Sequence, residues 1–326
     1  MKKRITLLFC TLFIFLLTAC SNHEKNTEEA IQKLETDQLK IGILFDDVGL
    51  GDQSFNDLAM KGLIKARNDL NVEIDYRDLT MVSSLEDGVQ ELIDATPNIV
   101  IGVGYTTQEP IEAFATQYPD IQFVLVDTVS DLENVDGLTF EEEEGSYLAG
   151  VVAAKTSQSN VLGFVGGMVD PIIEKFLKGF TEGAQSINPD IEILVEYADT
   201  YSDDQVGAKL AKQMIEQKAD VLYAVAGYTG VGLLREAQKG NVYAIGVDVD
   251  QYFYAEQAVI TSMLKNIDIA VYQYVEKYLQ EQPTEKLDLV FGIAEDGVGL
   301  SPIRIVSNAT QLEETVEQTK NTLRTH

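Results

Sequence analysis

Acidic, aromatic and glycine residues cluster in short segments that follow apolar stretches of the sequence. The first segment, Asp46 to Asp57, contains two glycines, one aromatic residue and several carboxylates and amides. Later segments read Gly104-Tyr105-Thr106-Thr107, Asp127-Thr128, Ala226-Gly227-Tyr228-Thr229-Gly230-Val231-Gly232 and Asp248-Val249-Asp250-Gln251. Carboxylates and amides bind hydroxyl and amine groups, and aromatic rings bury flat faces. Any one segment alone is more often a turn, but their number predicts a site for a polar organic ligand.

The first of these segments also carries signals for the start of a helix. Ser54 and Asp57 have the spacing of a capping box, in which two side chains satisfy free backbone amides. Asp52, Phe55 and Asn56 would then lie near the helix N-terminus, at the mouth of a sheet. A structural interpretation is equally open from the residues alone, with Phe55 in the core and Asp52 as a cap.

Other binding chemistries do not fit the glycine and acidic segments. The run from Gly227 to Gly232 matches neither GxGxxG nor GxxxxGK[ST], so it does not predict a phosphate-binding loop. Asp248 and Asp250 lack the glycine and the distal glutamate of an EF-hand loop. The acidic run at 141–144 is typical of a solvated helix start, where the helix dipole favours negative charge. We therefore expect no metal ion and no cofactor.

Composition disfavours two further classes of function. The chain has 326 residues and a formal charge of −29, and nucleic-acid partners require Lys and Arg to neutralise phosphates. The only histidines, His23 and His326, lie near the two ends, so a core active site would lack a His-dependent triad and the commonest general base. No motif for an activated nucleophile is present, and we expect a protein that is not an enzyme.

An alternation of short apolar strands and amphipathic helices would position these segments. Strands are predicted at 40–45, 72–76, 98–103, 121–126, 161–166, 191–196, 220–225, 242–247, 258–262 and 288–293. Helices are predicted at 54–66, 86–93, 108–117, 143–154, 172–187, 203–217, 229–239 and 265–280. Apolar strands between helices indicate parallel sheets covered on both faces, and two such series meet near residue 158. We therefore predict two doubly wound α/β lobes, with ligand contacts beyond the carboxyl ends of their strands.

The N-terminal 38 residues predict export. Three basic residues precede an apolar run from Ile5 to Leu17, which is the layout of a secretory signal and is short for a membrane span. The run ends in Leu17-Thr18-Ala19-Cys20, which resembles the bacterial lipobox, where the cysteine is acylated after cleavage. An ordinary signal peptide or an uncleaved anchor is the alternative. We predict a signal peptide at 1–19, lipid on Cys20 and a flexible tether at 20–38.

Seven segments of the sequence resemble, in order, the basic membrane protein family of substrate-binding lipoproteins, which includes purine nucleoside receptors of ABC transporters. They are Gly51-Asp-Gln-Ser-Phe-Asn56, Glu143-Glu-Gly-Ser-Tyr-Leu-Ala-Gly150, Gly163-Phe-Val-Gly-Gly167, Phe176-Leu-Lys-Gly-Phe180, Ala226-Gly-Tyr-Thr-Gly-Val-Gly232, Ile245-Gly-Val-Asp-Val-Asp-Gln251 and Thr261-Ser-Met-Leu-Lys-Asn-Ile-Asp268. The resemblance covers nearly all of the chain after the tether. It implies a type I periplasmic-binding-protein fold, with two α/β lobes, a hinge of crossing strands and a cleft that closes on ligand.

The resemblance also implies how a nucleoside would be held. In nucleoside-binding members two rings sandwich the purine, acidic and amide groups read its edge, and a Gly, an Asp and a Lys hold the ribose. The matching positions are Phe55 and Tyr201 for the rings, Asp52 and Asn56 for the base edge, Gly227, Asp248 and Lys265 for the sugar, and Tyr105 and Asp127 as further cleft residues. Lys265, at the start of the helix predicted for 265–280, is expected to neutralise Asp248.

Together these features predict a monomeric, lipid-anchored protein on the extracytoplasmic face of the cell membrane that delivers a nucleoside to an ABC permease. The first lobe is predicted to comprise residues 39–157 and about 264–290, and the second residues 158–263 and about 291–326. A regulatory or signalling lipoprotein of the same fold, which senses a small ligand, is the main alternative. An enzyme that acts on nucleosides is the third hypothesis.

Overall fold

The computed structural model of the chain describes residues 38–46, 48–281, 283 and 285–324. The predicted signal peptide, Cys20 and all but the last residue of the predicted tether lie outside these ranges. Within them, no helix has the length and apolar character needed to cross a membrane. This described part of the chain contains two six-stranded sheets and nine α-helices.

The first sheet is built from the early apolar strands, which pair in parallel in the order β2-β1-β3-β4-β5. Their bounds are β1 Lys40–Leu44, β2 Glu73–Arg77, β3 Ile99–Val103, β4 Gln122–Val126 and β5 Val135–Phe140. A late strand, β11 (Leu289–Phe291), pairs in parallel with β5. The connecting helices are α1 Phe55–Leu70, α2 Leu85–Asp94 and α3 Gln108–Gln117. Strand order reverses between β1 and β3, which is where open sheets of this type bind ligands.

The second sheet repeats this arrangement, in the order β7-β6-β8-β9-β10-β12. Its strands are β6 Val161–Gly166, β7 Glu192–Tyr197, β8 Val221–Val225, β9 Tyr243–Asp248, β10 Val259–Lys265 and β12 Val298–Leu300. Only β12 runs antiparallel to its neighbour among the described strands. Helices α5 (Pro171–Ile187), α6 (Asp204–Glu216) and α7 (Gly227–Lys239) connect the parallel strands. Every residue of β3 and of β8 is buried, as expected for sheets covered by helices on both faces.

The chain crosses between the two sheets three times, after β5, after β10 and after β11. Helix α4 (Glu142–Thr156) follows the first crossing and packs against α5 of the second lobe. Helix α8 (Ile267–Glu281) follows the second crossing and packs against α1 of the first lobe. The predicted division of the chain at residue 157 stays a prediction, and the packing of α4 against α5 leads us to propose a division near Glu141 as an alternative.

Glycines bring α4 and α5 into direct backbone contact. A Cβ atom at Gly183 would lie 2.0 Å from the backbone oxygen of Tyr147. A Cβ atom at Gly150 would lie 2.1 Å from the backbone oxygen of Phe180. These distances are far below van der Waals contact, so only glycine permits this approach, and the two helices form one closely packed unit.

Two strands and one helix are not predicted by the sequence pattern: β5, β12 and α9 (Ala309–Leu323). The apolar pattern of β5 is interrupted by Asp136 and Gly137. Asp136 is nevertheless buried, because it accepts hydrogen bonds from the Tyr274 hydroxyl and the Leu287 amide, each at 2.7 Å. The predicted helix start at Lys265 is wrong, because β10 continues through this residue and α8 begins two residues later.

Candidate functional site

A cavity of about 400 Å³ lies between the two lobes, beyond the carboxyl ends of their strands. This volume falls within the range of small-molecule sites. All nine residues that the sequence predicts as ligand contacts line it: Asp52, Phe55, Asn56, Tyr105, Asp127, Tyr201, Gly227, Asp248 and Lys265. The fold therefore brings the predicted residues together, and their roles toward a ligand stay a prediction.

Four residues at strand ends around the cavity have left-handed backbone conformations. In the first lobe, Gly104 follows β3 with φ of 87° and Asp127 follows β4 with φ of 77°. In the second lobe, Gly227 lies just beyond β8 with φ of 52° and Asp248 ends β9 with φ of 64°. Glycine adopts this conformation freely, whereas a non-glycine residue held there costs about 1–3 kcal/mol. Such strain at Asp127 and Asp248 is common where a binding site fixes a side chain.

The start of α1 is capped by Asp52. Its carboxylate accepts hydrogen bonds from the backbone amides of Ser54 at 2.9 Å, Asn56 at 2.8 Å and Asp57 at 3.2 Å. The predicted capping box is therefore wrong. In such a box the Ser54 hydroxyl would accept a hydrogen bond from the Asp57 amide, but that amide donates to Asp52. Burial raises the pKa of Asp52, and these backbone hydrogen bonds oppose that rise.

The hydroxyl of Ser54 makes no hydrogen bond to the helix start and instead contacts the second lobe across the cleft. It donates a hydrogen bond of 2.5 Å to Oδ2 of Asp248, at the end of β9 in the second lobe. Burial raises the pKa of Asp248, whereas the Ser54 hydrogen bond and the charge of Lys265 lower it. This contact joins the first lobe to a second-lobe residue that lines the cavity.

Lys265 joins the lobes through a buried cluster of charges. Its ammonium lies 2.6 Å from Oδ1 of Asp127 and 3.0 Å from Oε1 of Glu142. Asp127 and Glu142 therefore occupy its contact positions, while its charge still lowers the pKa of Asp248, as expected of a group that neutralises this carboxylate. Three aromatic rings lie 4.9–5.7 Å from the ammonium and complete its surroundings, those of Phe55, Phe140 and Phe176.

Burial and the neighbouring charges shift the pKa values of both Asp127 and Lys265. Burial raises the pKa of Asp127 to about 6, because the ammonium of Lys265 opposes the rise only in part and Glu142 adds repulsion. Burial alone would lower the pKa of Lys265, but the carboxylates of Asp127 and Glu142 outweigh it and raise that pKa. Lys265 therefore stays charged throughout the neutral range.

Tyr201 is fixed against the other side of the cavity. Its hydroxyl donates to Oδ2 of Asp170 at 3.0 Å, and Oδ1 of Asp170 caps α5 by accepting from two backbone amides. The ring lies on Gly167, where a Cβ atom would approach it to 2.0 Å. Burial and the charge of Asp170 raise the pKa of Tyr201, so its hydroxyl stays protonated.

Asn56 lines the cavity and carries a buried hydrogen-bond acceptor without a donor among the described residues. Its side-chain nitrogen donates to Oδ1 of Asp46 at 2.8 Å and to Oδ2 of Asp52 at 3.1 Å, which fixes the orientation of the amide. The residue is 1% exposed, and its Oδ1 accepts no hydrogen bond from the described residues. A buried oxygen without a donor costs about 1–3 kcal/mol, which a ligand N–H or O–H group can recover.

The charge of the lining is strongly one-sided. Five carboxylates line the cavity, those of Asp46, Asp52, Asp127, Asp170 and Asp248. Among the described lining residues the one cation is Lys265, and two carboxylates already pair with it. Such a lining favours ligands that donate hydrogen bonds and repels anions.

Several side chains in or beside the site lie outside the predicted set. Glu142 belongs to an acidic run predicted as solvated, but it is 1% exposed and pairs with Lys265, so that prediction is wrong for Glu142. Asp170 precedes Pro171, and this order is a helix-start signal that could have located it at a strand end. The role of Ser54 has no local signal, because its partner lies 194 residues away.

Comparison with known proteins places the chain in a family. Residues 39–325 match the Bmp family, described as "ABC transporter substrate-binding protein PnrA-like". The chain is 31% identical to the "CD4+ T-cell-stimulating antigen" of Listeria monocytogenes, over 92% of this chain and 91% of the relative. It is also 31% identical to "Basic membrane protein D" of Borreliella burgdorferi, over 89% and 84%.

Two crystal structures share the fold over most of their length. One is an ABC transporter solute-binding protein from Aeropyrum pernix, with 27% identity, a TM-score of 0.74 and coverage of 87% of this chain and 86% of that one. The other is described as a transcriptional activator of the comK gene from Bacillus halodurans, with 25% identity, a TM-score of 0.75 and coverage of 87% and 96%. The chain has the periplasmic-binding-protein fold and belongs to the Bmp family of PnrA-like ABC transporter substrate-binding proteins.

Proposed function

We propose that this substrate-binding protein captures a purine nucleoside in the interlobe cavity and delivers it to an ABC permease, while lipid on Cys20 holds it at the extracytoplasmic face of the membrane. The observation that carries the proposal is the composition of one cavity. It combines two aromatic side chains, Phe55 and Tyr201, with the carboxylates of Asp127 and Asp248.

The base would be held by stacking and by its polar edge. Rings above and below a flat heterocycle contribute about 0.5–1.5 kcal/mol per contact beyond the burial of area. The open acceptor of Asn56 and the adjacent carboxylate of Asp52 are suited to N–H groups on the edge of a base. Because such groups differ between bases, this end of the cavity would set the preference among nucleosides.

The sugar would be held by carboxylates. Oδ2 of Asp248 accepts from Ser54, and no described residue donates a hydrogen bond to its Oδ1. A ribose hydroxyl supplies that missing donor, and a ligand without it leaves a buried acceptor unpaired at about 1–3 kcal/mol. Gly227, with its left-handed backbone beside Tyr201, leaves room for the sugar to approach.

The charge of the lining argues for a nucleoside over a nucleotide. A phosphate would enter a cavity lined by five carboxylates whose one described cation is already paired. A neutral nucleoside meets no such repulsion. Closure of the two lobes over the ligand would shift an open–closed equilibrium by differential affinity, and no covalent step is needed.

The test is a binding panel on the full lipoprotein purified in detergent. Adenosine, guanosine, inosine, cytidine and uridine are compared with adenine, ribose and AMP by thermal shift and calorimetry. A purine nucleoside at 100 times its dissociation constant stabilises the fold by about 2.7 kcal/mol, whereas AMP gives no shift. The absence of a shift with every nucleoside would remove the proposed ligand.

Site variants locate the binding within the cavity. Phe55→Ala and Asp248→Asn should each weaken nucleoside binding at least about tenfold, because each removes a contact that a bound ligand would make. Phe253→Ala is the matched aromatic control, since this ring is 56% exposed and does not line the cavity. Equal affinities in all three variants would place the ligand elsewhere.

A regulatory role is the second function, and the likeness to the structure described as a transcriptional activator favours it. Both roles use the same cavity, so binding does not distinguish them. Uptake of radiolabelled nucleoside by cells with and without the gene does. Unchanged uptake together with altered transcription in the deletion strain would favour regulation.

A further inference from the structure

The Ser54–Asp248 hydrogen bond joins the two lobes and also holds a carboxylate that lines the cavity. We propose that Ser54 is a positioning residue, which orients the Asp248 carboxylate for the ligand and makes that orientation conditional on closure of the lobes. This inference rests on the proposed function, because it assigns a ligand contact to Asp248.

The Ser54 hydroxyl is available for this task because the helix does not need it. Asp52 accepts from the amides at the start of α1, and the Ser54 side chain makes no capping hydrogen bond. The side chain is 2% exposed and aimed at the second lobe, 2.5 Å from Oδ2 of Asp248. A buried hydroxyl held in this way serves the contact across the cleft and not the local fold.

The two oxygens of Asp248 have separate surroundings. Oδ2 accepts from Ser54, whereas Oδ1 receives no hydrogen bond from the described residues, and the residue lines the cavity. One carboxylate can therefore be held by the first lobe and by a ligand at the same time. Since the Ser54 bond exists only when the lobes meet, closure would fix the carboxylate in the orientation that the ligand uses.

A second hydrogen bond across the cleft offers an internal comparison. The hydroxyl of Tyr254, in the second lobe, donates to Oε1 of Gln53 at 2.8 Å. Gln53 has a left-handed φ of 53° and does not line the cavity. It therefore joins the lobes without touching Asp248, and its loss affects closure alone.

Other charged groups around Asp248 set the background for its ionisation. Lys265 of β10 lowers the pKa of Asp248, whereas Asp52 before α1 and Glu142 of α4 raise it. Asp127 after β4 and Tyr223 of β8 interact with the same carboxylate. These groups are unchanged in a Ser54 variant, so a change in the titration of Asp248 reports the lost hydrogen bond.

The experiment compares Ser54→Ala, Ser54→Thr and Gln53→Ala in the full lipoprotein, with adenosine and guanosine as probes in calorimetry from pH 5 to 8. Because Ser54→Ala removes a hydrogen bond to a charged group, we expect it to lower the affinity at least about tenfold. Ser54→Thr keeps a hydroxyl and should retain most of the wild-type affinity. An ionised carboxylate accepts hydrogen bonds more strongly than a protonated one, so binding weakens as pH falls through the pKa of Asp248. Removal of Ser54 raises that pKa, and the acid limb moves to higher pH in Ser54→Ala but not in Gln53→Ala.

The results separate this inference from the proposed function. If the wild type binds nucleoside and Ser54→Ala has the same affinity and acid limb, the positioning role is overturned and the proposed function stands. A loss of affinity equal in Ser54→Ala and Gln53→Ala, with no shift of the limb, also overturns it, because closure alone then explains both variants. If the wild type binds neither probe, the proposed function fails, and the inference that rests on it is overturned with it.

Discussion

Replacement of Lys265 by Met tests the buried charge cluster at the junction of the lobes. The substitution keeps the length of the side chain and removes its ammonium, which lies 2.6 Å from Asp127 and 3.0 Å from Glu142. The two carboxylates would then face each other without a cation. Lys175, 3.4 Å from the second oxygen of Glu142, is partly exposed and compensates weakly.

The magnitude follows from Coulomb's law and the cost of burial. At an effective dielectric constant of about 20, each of the two contacts is worth about 6 kcal/mol before desolvation is subtracted. Desolvation removes most of this gain in the intact cluster, but the loss of one partner leaves buried charge uncompensated. We therefore expect Lys265→Met to lower the free energy of unfolding by about 3–5 kcal/mol at pH 8.

The loss should shrink as the pH falls. The ammonium of Lys265 holds down the pKa of Asp127, which is raised by burial to about 6, so the variant raises that pKa further. A carboxyl whose pKa is higher in the folded than in the unfolded state binds protons preferentially when folded, so lower pH stabilises the fold. Between pH 8 and about pH 6 the deficit is expected to diminish by up to about 1.4 kcal/mol per pH unit, and below pH 6 it should level off because Asp127 then binds a proton in both proteins.

Urea denaturation of the wild type and the variant at pH 8, 6.5 and 5 measures both effects. Lys61→Met is the matched control, because its contact with Asp268 is also 2.6 Å long but its side chain is 69% exposed. An exposed ion pair contributes about 0–1 kcal/mol. A deficit for Lys265→Met below about 1 kcal/mol at pH 8, or one that does not depend on pH, would refute the reasoning.

Substitutions at three further positions, Gly183, Tyr274 and Tyr201, test the packing and the polar contacts. Gly183→Ala places a Cβ atom 2.0 Å from a backbone oxygen of the facing helix, so it should lower the free energy of unfolding by about 1–3 kcal/mol. Gly299→Ala is the control, because a Cβ atom there meets nothing within 4 Å. Equal urea midpoints for the two variants would contradict this prediction. Tyr274→Phe removes a donor from buried Asp136 and should cost about 1–3 kcal/mol. In the wild type the hydrogen bond from Tyr274 lowers the pKa of Asp136, so this pKa is higher in the variant. The stability deficit of the variant should therefore be larger at pH 8 than at pH 5, which thermal unfolding at the two pH values measures. Tyr201→Phe keeps the ring and should bind nucleoside within about threefold of the wild type, while Tyr201→Ala binds at least about tenfold more weakly in calorimetry; equal losses would show that the ring does not carry the contact.

The architecture follows from the sequence because its signals are local and repeated. An apolar strand followed by an amphipathic helix is recognisable from spacing alone, and carboxyl ends of parallel strands meet at one edge of a sheet. This is why residues as distant in sequence as Asp52 and Asp248 could be predicted to line one cavity, whereas Tyr201 and Lys265 were predicted only from the family resemblance. The strand β5 was harder to predict, since Asp136 reads as a surface residue unless its donor on α8 is known.

The partners within the site could not be predicted from spacing. Lys265 contacts Asp127 and Glu142, and only the way the two lobes pack against each other brings these carboxylates to the end of β10. Similarly, Asp52 and Ser54 can both accept from the amides at the start of α1. The structure gives that role to Asp52, and the Ser54 hydroxyl is then available to Asp248.

The glycine contacts between α4 and α5 also determine which amides should exchange with solvent. Because the backbones of these helices touch, neither helix can separate from the other without exposing a buried interface. Their amide hydrogens are therefore expected to exchange slowly, whether the lobes are apart or together. Fast exchange that depends on ligand should instead be confined to the three crossings, near Glu141, Asn266 and 292–297, where rotation of the lobes must be absorbed.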